Sequence, residues 1–358
     1  RIVGDFAGKL SGRSDRIVLR DALGNPADEV RYFDDEPWPI YADGGGSSIE
    51  LIDPDSDNNN SGSWSDSDEG ARAQWQSYSY QETARPNVGP SRWRELCLGL
   101  LRAGEVFIDD LSVVEDPGGA ARQLIANGSF ESGESGWRLL GNHGNSEVVE
   151  DPADPGNRVL RLVATGATEH MHNHVEATLA GGASITNGRL YEISFRAKWI
   201  AGSNQVHTRL YFNRCPKTTL VERPENPGTP GTRNSRFVSN AGPTFSGLRH
   251  LPVVPAPGEP VQASVVIQDP DGVGEVKLRY SVEGGAWREL DMDTVSGGLY
   301  QGTIPGQSGS RTVQFYIHAE DGLQAGSFCP AGGADSRALY RTRDGQARLG
   351  ELHNIRIV

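Results

Sequence analysis

Several stretches of this chain alternate apolar and polar residues and end at turn residues within about ten positions. They include "RIVLRD", "DEVRYF", "LYEISFRAKW" and "QVHTRLYFN". A period of two belongs to a β-strand with one buried face, whereas a half-buried helix repeats every 3.6 residues. Turn signals such as "GNP", "PDG", "GG" and "PG" recur between the runs, so the strands are expected to be short and numerous. The expected fold class is therefore all-β. Forty-five glycines, 21 prolines and only 36% hydrophobic residues agree with it, and 358 residues exceed what one core usually holds, so two or more modules are expected.

Composition also excludes some functions. A general nucleic-acid binder needs a basic face to neutralise phosphates. This chain has a formal charge of −13 and no dense Lys/Arg cluster, so no nucleic-acid partner is expected. The three cysteines, Cys97, Cys215 and Cys329, are odd in number and far apart. They allow one bridge at most and form no C-x-x-C metal pattern. No stretch of about 18 apolar residues is present to span a bilayer. The start, "RIVGDFAGKL", and the end, "GELHNIRIV", read as interrupted domains, so the chain is expected to be a fragment of a longer protein with any targeting signal upstream.

Residues 15–52 contain two alternating runs around "ALGNPA", a hairpin signal. The run L-x-D-x-x-G-x-x-x-D-E-V-x-Y at Leu19–Tyr32, "WP" at Trp38 and Pro39, "ADGGGSSIEL" at Ala42–Leu51 and the later Trp64 resemble the lamin-tail domain. That family is an immunoglobulin-like sandwich found in lamins and bacterial surface proteins. The resemblance implies an N-terminally truncated domain at 1–70, closed by "GTPGTRNS" at Gly228–Ser235 within 225–240. A second module at 71–224 would then be inserted at a loop, where close-ended insertions are tolerated.

Within the insert, "ANGSFESGESGW" at Ala126–Trp137 resembles the first strand of jelly-roll carbohydrate-binding modules, and "GEVFIDDLSVVED" at Gly104–Asp116 resembles their last strand. Their order is reversed here, which implies a circularly permuted jelly roll joined through "PGGAAR". The alternative is the tail of one module followed by the head of another. The resemblance also implies a structural Ca²⁺ held by Glu131 and Asp109, with Asp110 beside them. Residues 248–342 resemble a fibronectin type III or immunoglobulin-like spacer, and 343–358 are expected to begin a linker or following domain. Bacterial chains with this resemblance often continue into a CotH-type kinase-like domain, which the resemblance implies as an expectation here.

The chemistry-bearing feature is "EHMHNHVEATL" at 169–179, with three histidines at alternate positions. Read as one strand, Met171, Val175, Ala177 and Leu179 face the core, and His170, His172, His174 and Glu176 face away. The same parity sends Arg196 of "LYEISFRAKW" outward. In "QVHTRLYFN" it sends Val206, Leu210 and Phe212 inward, and His207, Arg209, Tyr211 and Asn213 outward.

A shared polar face of these residues suits a hydroxyl-rich ligand, with Tyr211 as a stacking platform. A metal centre is the second reading, although His170 and His174 would stand about 13 Å apart on a flat strand. A solvated face without a role is the third. The expected function is non-catalytic adhesion or glycan binding by accessory modules of an extracellular or cell-surface protein, with a glycan or surface protein as partner. Spacer domains preceding a CotH-like domain are the first alternative. A metal-dependent hydrolase using the histidine row is the second.

The acidic loop "DPDSDNNNSGSWSDSDEG" lacks the EF-hand spacing and is read as solvated, and "DPDG" at Asp269–Gly272 as a turn. Neither Ser129 nor the cysteines sit in a nucleophile motif.

Overall fold

A computed structural model describes residues 8–85, 93–335 and 337–345. The extreme terminal runs at 1–7 and 346–358, on which the expectations of interrupted domains and a following CotH-type domain rest, lie outside the described residues. Among those described the fold is all-β, with three single-turn 3₁₀ segments and no α-helix.

The chain opens with a hairpin of β1 (Ser14–Arg20) and β2 (Pro26–Phe33), then the short pair β3 (Ile49–Leu51) and β4 (Trp64–Asp66). The hairpin turn forms as the "GNP" signal implied. Asp21 Oδ1 accepts the N–H groups of Leu23 and Asn25, each at 2.9 Å, which folds the chain back before Pro26.

The next group is β5 (Gln76–Thr83), β6 (Glu95–Leu100), β7 (Gly104–Glu115), β8 (Arg122–Gln123), β9 (Trp137–Leu140), β10 (Glu147–Asp151), β11 (Asp154–Ala164), β12 (His174–Thr178), β13 (Leu190–Gly202), β14 (Gln205–Leu210) and β15 (Arg214–Leu220). The last group is β16 (Thr244–Leu251), β17 (Val261–Gln268), β18 (Val273–Val282), β19 (Arg288–Asp291), β20 (Asp293–Ser296), β21 (Leu299–Ile304), β22 (Thr312–Asp321), β23 (Gly326–Cys329) and β24 (Ala338–Arg341).

Two compact units emerge. One comprises Tyr32–Glu50 and Ser65–Arg236 with the residues before 16, and the other Arg16–Arg31, Leu51–Trp64 and the residues from 237 onward. The segment resembling a lamin tail is thus shared between them.

The first unit is a two-sheet sandwich. One sheet runs β10-β11-β7-β13-β5, with β8 also on β7, and the other runs β15-β14-β6-β12-β9. Both sheets contain strands from before and after the "PGGAAR" linker, with β7 between β11 and β13 and β6 between β14 and β12, so the two halves of the insert form one sandwich. Alternation sends Tyr191, Ile193, Phe195, Ala197 and Trp199 of β13 inward, none more than 2% exposed, against Leu96, Leu98 and Leu100 of β6. A buried aromatic side chain contributes roughly 1.5–3 kcal/mol, so this row fixes the register of β13.

The "NGSFE" segment is held by its own side chains. Asn127 Nδ2 donates to the carbonyls of Gly133 and Ser135, and the Trp137 indole donates to Asn127 O at 2.8 Å. Gly128 O accepts from Leu111 N, and a Cβ on Gly128 would stand 1.8 Å from Leu111 O. Only glycine lets the opening segment lie this close to β7.

The ends of the insert meet. Buried Glu50 accepts both the N–H and the hydroxyl of Ser235 at 2.7 Å, and Glu69 Oε1 accepts Gly228 N–H at 2.8 Å. The "GTPGTRNS" stretch therefore returns to the strand that carries "SIEL".

In the second unit, the sheet β16-β17-β21-β20 packs on β19-β18-β22-β23, with β24 also on β22. Their core is built by Val265, Leu278, Phe315 and Ile317. This group has nine strands among the described residues, four of them only four residues long. "DPDG" is a turn, with Asp269 Oδ1 accepting Asp271 N–H at 2.8 Å.

Candidate functional site

The strand containing the histidines is shorter than its alternation implies. β12 begins at His174, while His170 and His172 sit in the preceding turn, closed by Asn173 N–H bonding to His170 O at 3.0 Å. Met171, assigned to the core by parity, is 45% exposed for this reason. Parity holds only from His174 onward: Val175, Ala177 and Leu179 are buried and Glu176 faces out, while His174, expected on an exposed face, is itself covered at 4% exposure.

The expectation of one polar face across three strands is corrected by the topology. β12 and β14 lie in the same sheet, separated by β6, but β13 lies in the opposite sheet. Alternation reports inside against outside and is silent on which of two sheets a strand joins. Arg196 is therefore remote from the histidines. It pairs with Asp109 at 3.7 Å and Asp110 at 3.4 Å and covers the Trp75 ring at 5.0 Å.

Phe212 is also corrected. β14 ends at Leu210, so Phe212 is only half-buried, outside the core, and stacks with Trp93. Tyr211 packs on Trp93 at 4.4 Å between ring centres, and Asn213 is exposed in the turn that follows.

The outer face of β14-β6-β12-β9 carries a cross-strand row. Arg209 opposes Cys97, Cys97 opposes Glu176 and Glu176 opposes Arg138. In the neighbouring row His207 opposes Gly99 on one side and Thr218 on the other. Gly99 has a reason to be glycine, because a Cβ there would meet His143 Nε2 at 2.9 Å and the His174 backbone at 3.5 Å.

Hydrogen bonds fix the polar groups. Arg209 Nη2 donates to Met171 O at 3.1 Å and to His174 Nδ1 at 3.4 Å. In the neutral His174 ring the proton is thereby on Nε2, which donates to Glu176 Oε2 at 3.1 Å. Glu176 Oε1 accepts from Arg138 Nε at 2.7 Å. The His174 bond, aided by Arg138, holds the Glu176 carboxyl down to about 2. Burial pushes the Cys97 thiol up to about 12, against the pull of Arg209. Burial lowers His207, with Arg209 adding to it.

These residues open onto a cleft of about 300 Å³, lined in part by Gly99, His170, Met171, His174, His207 and Arg209. That volume lies at the lower end of small-ligand sites. The loop above it is anchored by Thr168, whose N–H bonds Leu101 O and whose hydroxyl donates to Leu100 O at 2.6 Å. Residues 98–101 and 168, which sequence patterning does not select, thus line the cleft. Gly99 between buried leucines in "LCLGL" was their one visible sign.

Cys97, His174 and Glu176 bring three potential metal-ligating atoms within 4.8 Å of one another. The Arg209 bond to His174 Nδ1 requires the proton on Nε2, the nitrogen that faces Glu176, so its lone pair is not offered to a cation. Two arginines flank the group as well. The donor set does not fit a metal, and no three-histidine group forms among the described residues.

Each of the expected calcium ligands has a protein partner. Asp109, 2% exposed, accepts from the Asp110 N–H and from Asn157 Nδ2, Asp110 is exposed, and Glu131 Oε1 accepts Arg158 N–H at 3.2 Å. The Arg196 guanidinium stands beside both aspartates. A hard cation needs six to eight oxygens, and here a protein cation takes its place.

No family model and no curated protein matches the chain. Solved structures that resemble parts of it include a bromine derivative of BhCBM56, 15% identical, covering 28% of this chain and 94% of that one at a TM-score of 0.20. A DUF4785 family protein from Legionella pneumophila is 9% identical, covering 76% of this chain and 62% of its own at 0.21. The ectodomain of mouse nectin-like molecule 4 is 11% identical, covering 72% and 98% at 0.20. At this level of likeness nothing about ligand or activity passes from them to this chain.

Proposed function

We propose that the chain is a set of non-catalytic accessory modules of a larger extracellular surface protein, one of which binds a glycan through the cleft on the outer face of β14-β6-β12. The observation that carries the reading is Arg209. It is held by Met171 O and His174, within reach of the Cys97 thiol, and lines the cleft together with His207 and His170. Planar, pre-positioned donors next to an apolar side chain such as Met171 match the alternating hydroxyl and C–H surface of a sugar.

Two further features support a binding role over chemistry. Cys97 is the nucleophilic side chain in the cleft, and burial keeps it as a thiol at neutral pH. Glu176, which would serve as a base, is engaged by His174 and Arg138. An extracellular setting accords with the lamin-tail and jelly-roll resemblances of the sequence, and no helix of the described residues is long and apolar enough to cross a membrane.

The test is a glycan array probed with the full chain. Binding to a defined glycan class supports the proposal. An array on which no glycan retains the protein contradicts it and favours the spacer reading.

A further inference from the structure

Arg209 is a half-buried cation. Among the described residues no carboxylate pairs with it. Glu176, the nearest acid along its cross-strand row, lies beyond Cys97 and is already engaged by Arg138 and His174. A guanidinium has five N–H donors in a planar fork; Met171 O and His174 Nδ1 take those on Nη2, and the Cys97 thiol lies within hydrogen-bond reach of the group as well.

The other polar groups around the cleft are biased the same way. His172 N–H donates to His170 Nδ1 at 3.3 Å, which leaves the neutral His170 ring with its proton on Nε2, a donor. Thr168 spends its hydroxyl proton on Leu100 O. Glu169 is the one carboxylate lining the cleft. It is exposed on the rim, where water screens it, whereas Arg209 is partly desolvated. Glu95 and Glu176 act on the neighbouring Cys97 and Tyr211, but neither forms an ion pair with Arg209.

We propose that the glycan bound here is acidic, with the planar carboxylate of a uronic acid unit held by Arg209; this rests on the glycan reading above. The fork of an arginine matches a carboxylate in two parallel bonds, which are short and stronger than neutral ones. Occupancy would pair Arg209 with a carboxylate and bring the unit's hydroxyls beside His207 and His170.

The experiment is titration calorimetry of the full chain with tetragalacturonic acid and an alginate-derived oligomannuronate, each beside its fully methyl-esterified form. The ester keeps the sugar and removes the charge. The expected result is at least about tenfold tighter binding of one free acid than of its ester, equivalent to about 1.4 kcal/mol. That preference disappears in Arg209→Gln and partly returns in Arg209→Lys, with melting temperatures unchanged. Equal affinity for acid and ester overturns the carboxylate assignment and leaves the glycan reading standing, as does binding confined to neutral or sulfated glycans. A preference that survives in Arg209→Gln removes Arg209 from the site. No binding of any glycan overturns both.

Discussion

His143 and Leu100 are joined through a fully buried bond in which the ring Nε2 accepts the Leu100 N–H at 2.9 Å. Nδ1 lies 2.6 Å from Asn142 Oδ1, so the neutral ring carries its proton there and bridges the 141–143 turn to β6. Burial, with the nearby His174 ring, pulls the imidazole to about 4 from an ordinary 6.5.

Acid should therefore destabilise the first unit in a defined window. Between pH 6.5 and 4 the unfolded chain binds the proton that folded His143 refuses. Stability is full above the unfolded value and falls as pH drops towards the folded one, by about 3 kcal/mol in total. Urea unfolding followed by tryptophan fluorescence across this range should show the slope, and His143→Gln should flatten it whatever its cost at pH 7.

Glu176 works in a lower window. Its carboxyl titrates near 2 when folded and near 4.5 otherwise, so its contribution is present above 4.5 and lost as pH falls towards 2. Glu176→Gln keeps the shape and removes the charge from Arg138 and His174. A loss of roughly 1–3 kcal/mol at pH 7 is expected, the usual cost of a broken charged hydrogen bond, measured by denaturant unfolding.

Gly128→Ala should abolish the knitting of the two halves of the insert, since its Cβ would stand 1.8 Å from the Leu111 carbonyl oxygen in β7. Calorimetry should show the transition of the first unit lost or sharply lowered.

The thiols should be silent in the native protein. Cys97 and Cys215 are buried and pushed up to about 12 by that burial, and half-buried Cys329 is raised by the same cause. All three are free. A thiol-exchange reagent at pH 8 should label the folded chain slowly and all three cysteines promptly in denaturant.

Calcium should not shift the melting of the first unit, because the Arg196 guanidinium stands beside Asp109 and Asp110. A rise in melting temperature with calcium that is lost in Glu131→Ala would contradict this.

Alternation made much of the fold legible. The inward set of β13 and the β1–β2 turn follow from local rules, whereas the need for glycine at 128 is set by Leu111 in β7. The face itself was half legible. His174, Glu176, His207 and Arg209 share one sheet surface, as parity requires, while Arg196 belongs to the other sheet, since a strand's partners are chosen by distant residues. His170 and His172 were drawn into the strand because a turn of the same residues also alternates. His143 carried no periodic signal at all, since its role is set by one backbone N–H 43 residues away.

The direct test of the binding face is a comparison of two arginines on opposite sheets. Affinity for a glycan that the full chain binds should be measured for wild type, Arg209→Ala and Arg196→Ala. The account predicts about a tenfold loss or more for Arg209→Ala, the scale of one charged hydrogen bond, and no change for Arg196→Ala. Wild-type affinity in Arg209→Ala, or a loss confined to Arg196→Ala, would contradict it.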